Sequence, residues 1–166
     1  MQYQGKLTLI AGPCAVETRD QTMEMAYKIS KVRGILEPYD IAVALRGGAW
    51  KPRTEYWSSN GSDEKIRVFE GTKEDGLDWL SEAGKRYDLP VVTECMSEND
   101  LRHFQCLLDA DRGDIIQIGA RTSQAFALLY AVGGTPLNVL LKNPQHGVNP
   151  KEAIGSLQRL EKNGTV

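Results

Sequence analysis

Five short apolar runs, LTLIAG, IAVAL, PVVTE, DIIQIG and NVLLK, recur along the chain, and none of them alternates polar with apolar residues. A strand with one wet face alternates, whereas a continuous run is buried on both faces, as in a parallel sheet covered by helices. The runs predict strands at Leu7–Cys14, Ile41–Gly47, Pro90–Met96, Asp114–Ala120 and Leu137–Asn143. Helical stripes lie between them. One runs from Thr18 to about Ile35, with Met25, Ile29, Val32 and Leu36 on the apolar side. Two more cover Ser97–Asp109, with Leu101, Phe104 and Leu108, and Lys151–Lys162, with Ala153, Leu157 and Leu160. Thr18 with Gln21, and Ser97 with Asp100, have the spacing of caps that satisfy free backbone N–H groups at helix starts. The chain is thus a βα unit repeated about five times.

Composition narrows what such a chain can do. Its 166 residues, 41% hydrophobic and 25% charged, form one globular domain over residues 1–166, neither disordered nor fibrous. A formal charge of −2 supplies no global attraction to nucleic acid, so any anion recognition must come from a local cluster of cations. The longest apolar run, Ala125 to Val132, is far short of the roughly 18 residues that cross a bilayer, and no basic and apolar leader opens the chain. A cytoplasmic location without membrane contact follows as the expectation. Three cysteines, Cys14, Cys95 and Cys106, are an odd number for a disulfide framework and favour thiols or a metal ligand.

Repeated βα units build either an open doubly wound sheet or a closed barrel. The polar residues favour the barrel. Cys14, Arg46, Glu94, Arg121 and Lys142 all fall at C-terminal ends of successive predicted strands, and a (β/α)8 barrel collects its site on that one face. About five of the eight units are present, and a complete barrel runs to about 250 residues. The stretch from Glu55 to Gly71 is a polar loop, long for a βα connection, on the same face.

The densest chemical signal is Arg46-Gly47-Gly48-Ala49-Trp50-Lys51-Pro52-Arg53-Thr54, directly after a strand. Guanidinium forks and an ammonium suit phosphate and carboxylate oxygens, and the glycines allow close backbone approach. A solvated basic loop is the plain reading. The functional one is preferred, because Arg121 and Lys142 add cations at the same mouth and call for a substrate with several negative charges. Cys14, after Ile10-Ala11-Gly12-Pro13, reads on spacing alone as a small apolar filler; among cations its thiolate is also a candidate metal ligand. Glu94 ends an apolar strand, where a carboxylate is costly unless paired, so a salt bridge and a catalytic role are equally open. His103 reads as a surface residue, Cys95 and Cys106 as packing residues, and His146 stays open as a ligand near the mouth.

Taken in order, IAGPCAVET, RGGAWKPRT, LPVVTECMS, DIIQIGART and VLLKNP resemble the 3-deoxy-D-arabino-heptulosonate 7-phosphate (DAHP) synthase family through nearly the whole chain. The resemblance implies a TIM barrel and a transferase that condenses phosphoenolpyruvate with erythrose 4-phosphate and releases phosphate, opening the shikimate pathway to aromatic amino acids. By motif match, Arg46, Lys51 and Lys142 would surround the phosphoenolpyruvate carboxylate. Arg121 and the N–H of Ala120 would hold its phosphate, with Glu94 beside it. Pro52, Arg53 and Thr54 would meet erythrose 4-phosphate, and Lys51 would transfer a proton to the new hydroxyl. Cys14 resembles the family's cysteine ligand to a divalent ion (Mn2+, Fe2+, Co2+ or Zn2+), which polarises the aldehyde. The family commonly assembles as homo-oligomers.

A sister family makes 3-deoxy-D-manno-octulosonate 8-phosphate (KDO8P) from arabinose 5-phosphate. It has Lys-Ala-Asn-Arg where this chain has Lys51-Pro52-Arg53-Thr54, which ranks it second. In the synthases the other metal ligands, a His, a Glu and an Asp, come from the last barrel strands. The chain is therefore expected to be the N-terminal part of a barrel, with little synthase activity by itself and a tendency to self-associate. A non-catalytic half-barrel that binds phosphoenolpyruvate or a partner chain is the alternative. Two further departures from the family pattern are the loop over 55–68, about ten residues longer than usual, and Thr122-Ser123-Gln124-Ala125-Phe126 after Arg121.

Overall fold

The computed structural model describes residues 7–49, 73–143 and 149–161. Strands β1 (Thr8–Ala11), β2 (Ala42–Arg46), β3 (Val91–Glu94), β4 (Ile115–Ile118) and β5 (Asn138–Leu141) form one sheet in the order β1-β2-β3-β4-β5. Every neighbouring pair is parallel. Each strand leads to a helix: α1 (Arg19–Leu36), α2 (Lys73–Tyr87), α3 (Glu98–Leu107), α4 (Phe126–Gly133) and α5 (Pro150–Glu161). Sequential order with one helix per crossover makes a half-barrel of five βα units, as the apolar runs predict.

The strands are shorter than the runs that predict them, because the chain turns out of the ladder at glycines and polar residues. Parallel hydrogen bonding nevertheless continues past the strand ends, with Gly47 N donating to Val92 O (3.0 Å), Cys95 N to Gln117 O (3.0 Å) and Lys142 N to Ile118 O (3.0 Å). The mouth residues are thus held by backbone bonds of the sheet itself.

Period-two alternation sorts the side chains of each strand into two rows. The outer row, Val43, Leu45, Val91, Cys95, Ile116 and Ile118, packs under the helices in the main core with Ile29, Leu77, Leu80, Phe104, Leu129 and Leu160. The inner row begins with a small second cluster, Ala44, Val92 and Ile115, with Ile10 and Leu140 packed against it. Both faces are therefore apolar at mid-strand, which is why the runs do not alternate.

Helix starts follow the local rule. Thr18 Oγ1 accepts from Gln21 N at 3.0 Å, and Ser97 Oγ accepts from Asp100 N at 3.4 Å. Helix faces depart from expectation in two places. Helix α1 buries Thr22, Ala26 and Ile29, while Val32 is exposed. Helix α5 buries Ser156 and Leu160 and leaves Leu157 exposed. The buried positions include small residues, Ala26 on α1 and Ser156 on α5, and α5 meets α4 closely at Leu160, whose carbonyl oxygen a Cβ on Gly133 would approach to 2.5 Å. Cys106, expected to pack, is exposed on α3, whereas Cys95 is buried as expected.

Candidate functional site

Continuing up the inner row from its apolar cluster, the sheet presents Arg46 on β2, Glu94 on β3, Gln117 and Gly119 on and after β4, and Lys142 after β5. Two residues separate each from an apolar member of the same row: Ala44 and Arg46, Val92 and Glu94, Ile115 and Gln117, Leu140 and Lys142. A two-residue step in a strand returns the side chain to the same face, so with the strands in register alternation brings these groups to one mouth. The layer below them is apolar.

Glu94, half-buried, accepts a hydrogen bond at Oε2 from Nε2 of Gln117, at 3.2 Å. Its Oε1 lies against the Cα of Gly119, where an added Cβ would stand 1.8 Å away. Among the described residues no ion pair joins Arg46, Arg121 or Lys142 to a carboxylate, in contrast to Arg19, Lys28, Arg33 and Arg112 on the outside and bottom of the sheet. Among the described residues Glu94 has no ion-pair partner, and its hydrogen bond comes from a neutral amide.

The turn after β4 is fixed by its own bonds. Thr122 N donates to Gly119 O (3.1 Å), Ser123 Oγ to Ala120 O (3.0 Å) and Ala125 N to Thr122 O (2.9 Å), which leaves Arg121 exposed at the tip. On the β1 side, Gly12 adopts φ +146°, and Val16 N donates to Gly48 O at 3.1 Å, so the segment carrying Cys14 is tied to the segment after β2. Cys14 is exposed at this end.

Metal-ligating chemistry is thin here. Among the described residues no group of three or more His, Cys, Asp or Glu could hold a metal ion. Cys14 offers one soft donor, and one donor is not a site. His103 is exposed on α3, as expected. Lys51, Pro52, Arg53, Thr54 and His146 lie outside the described residues, as does the loop over 55–71.

Gln117 is the residue that the sequence reading missed. Its signal was a lone amide inside Ile115-Ile116-Gln117-Ile118, a run in which a buried polar group needs a partner. No helix among the described residues is long and apolar enough to cross a membrane.

The DAHP synthetase I family model matches residues 3–166. A phospho-2-dehydro-3-deoxyheptonate aldolase from Thermotoga maritima is 43% identical over 138 residues, covering 83% of this chain and 34% of that protein. A 2-dehydro-3-deoxyphosphooctonate aldolase from Rickettsia peacockii is more distant, 33% identical over 138 residues, covering 82% of this chain and 44% of that protein. The crystal structure of the Thermotoga maritima DAHP synthase superposes with a TM-score of 0.75 at 36% identity, over 98% of this chain and 40% of that one. A truncated form of the Thermotoga enzyme gives 0.71 at 33% identity, over 98% and 49%. The chain thus spans between a third and a half of the length of these relatives. Sequence and fold agree over nearly all of its residues, and it belongs to the DAHP synthetase I family.

Proposed function

We propose that the chain provides the phosphoenolpyruvate-binding part of a DAHP synthase. The observation that carries this reading is the convergence of Arg46, Lys142 and Arg121 at one end of a parallel half-barrel, with no carboxylate ion-paired to them among the described residues. Phosphoenolpyruvate has a carboxylate and a phosphate close together, and cations on adjacent strand ends can take both at once. Arg46 and Lys142 meet the carboxylate, and Arg121 with the N–H of Ala120 meets the phosphate. The apolar layer of Ala44, Val92 and Ile115 beneath them keeps water from the floor, which strengthens each contact.

In the reaction this implies, C3 of phosphoenolpyruvate attacks the aldehyde of erythrose 4-phosphate, water adds at C2, and phosphate leaves by C–O cleavage. Lys51 protonates the new alkoxide, and Pro52, Arg53 and Thr54 meet the sugar phosphate. Cys14 would supply one ligand to a divalent ion, whose chemistry would be to polarise the aldehyde. Homo-oligomeric assembly and a cytoplasmic location complete the reading.

Calorimetric titration of the 166-residue chain with phosphoenolpyruvate tests it. Binding is expected, and Arg46→Ala, Arg121→Ala and Lys142→Ala should each weaken it about tenfold or more, since bonds to charged groups contribute about 1.5–3 kcal/mol. Failure of the unmodified chain to bind phosphoenolpyruvate would overturn the reading. Phosphate release measured with Mn2+ and either sugar then separates the substrates. Release only with arabinose 5-phosphate would favour the octulosonate reading suggested by the more distant relatives.

A further inference from the structure

Glu94 on β3 stands one two-residue step above Val92, the residue paired with Arg46 of β2, so Glu94 and Arg46 are diagonal neighbours on the inner face. Diagonal neighbours on one sheet face lie about 7–8 Å apart, within reach of long side chains. A carboxylate free to swing there would pair with the Arg46 guanidinium and cancel the charge that an anionic ligand needs. It is held elsewhere. Its Oε2 accepts from the Gln117 carboxamide at 3.2 Å, and its Oε1 rests on the bare Cα of Gly119. Gln117 is 3% exposed in a strand whose other members are Ile115, Ile116 and Ile118. Packing alone would be served better by another aliphatic, because burying an amide without its bond costs about 1–3 kcal/mol.

We infer that Gln117 is a positioning residue: it holds Glu94 on the β4 side of the mouth, away from β2, and leaves Arg46 available to the bound anion. The inference rests on the phosphoenolpyruvate reading above and adds a residue to it. The neutrality of the amide matters. A cation at position 117 would hold Glu94 equally well but would add a charge beside the anion, and an aliphatic would release the carboxylate.

Two measurements test this, one of them without any ligand. In 15N–1H spectra of the chain, the side-chain amide pair of Gln117 should move when Glu94→Gln removes the carboxylate that accepts from it. An amide pair insensitive to Glu94→Gln overturns the link. The second measurement is a double-mutant cycle on phosphoenolpyruvate affinity, with circular dichroism confirming that each variant folds. Gln117→Leu should weaken binding about tenfold in the native background and less than twofold in the Glu94→Gln background, where no negative charge remains to be restrained. Gly119→Ala, which pushes the same carboxylate from its seat, should behave alike. Equal losses in both backgrounds would mean that Gln117 acts by packing, and overturn the proposal.

Inorganic phosphate as a parallel probe separates the two readings. Uptake of phosphate but not phosphoenolpyruvate sinks the substrate assignment, and the same cycle run on phosphate still decides the role of Gln117. A chain that takes up neither anion overturns both.

Discussion

The Cα of Gly12 lies against the carbonyl oxygen of Arg46, so close that a Cβ built on the glycine would stand 1.9 Å from that oxygen. The backbone leaving β1 therefore seats directly on the end of β2, and φ +146° at Gly12 is a conformation that side chains rarely adopt.

Gly12→Ala should accordingly be among the most damaging single-atom additions in the chain. The obstacle is backbone on both sides, which cannot rotate away as a side chain can. A loss of about 2–4 kcal/mol is expected from strain and overpacking together. Urea unfolding followed by circular dichroism measures it, and a midpoint equal to that of the unmodified chain would show that β1 does not seat on β2 in this way.

At the opposite end of the sheet, Asp114 is fully buried and accepts four hydrogen bonds. Two come from Arg112, one of them from Nε at 2.9 Å, and two from the backbone N–H groups of Val91 and Asp109, each at 2.8 Å. One carboxylate joins the starts of β3 and β4 to the turn before β4. Asp114→Ala should destabilise the chain by about 3–5 kcal/mol, because a buried guanidinium and two backbone donors lose their acceptor. Arg112→Leu should be milder, since the backbone donors still pair with the carboxylate. A reversed ranking of the two unfolding midpoints would contradict this account.

The three cysteines should be distinguishable by reagent. Cys95 is buried under the helices and its thiol is pushed up to about 12, chiefly by burial, although Sγ donates to Ser97 O at 3.3 Å. Cys14 and Cys106 are exposed. Iodoacetamide at pH 8 should label Cys14 and Cys106 in the folded chain and reach Cys95 only after denaturation, because the thiolate is the reactive form. Peptide mass spectrometry reads the pattern, and native labelling of Cys95 would refute its burial.

Arg19 on α1 and Glu82 on α2 form a two-point contact, with Nε donating to Oε2 at 2.9 Å. The hydrogen bond from Arg19 holds the Glu82 carboxyl below its ordinary value. A depressed folded-state value means that the stabilisation is present above the unfolded carboxylate range and lost as pH falls through the folded value. The Tm difference between the unmodified chain and Glu82→Gln should therefore be small and positive near pH 7, shrink below about pH 4, and shrink also in high salt, because both groups are about half exposed. A difference that does not vary with pH would assign the effect to packing.

What could be read from the sequence was local in origin. A cap depends on a hydroxyl and an N–H three residues apart, so Thr18–Gln21 and Ser97–Asp100 were visible before any tertiary contact. Strand identity was visible in the unbroken apolar runs, and the parallel architecture followed from their burial on both faces. The same lack of alternation hid which side chain faces which way. Only strand register decided that Arg46, Glu94 and Lys142 share the inner row, and that Cys95, beside Glu94 in sequence, faces the helices. The Glu94–Gln117 bond depends on the pairing of β3 with β4, in which these two residues are opposite one another across 23 positions of sequence. Helix faces departed from the apolar stripes where Ala26 and Ser156 are buried while Val32 and Leu157 are exposed. Periodicity measures how apolar a face is, while packing also depends on how near its neighbour comes, and that distance is set by the whole assembly of helices on the sheet.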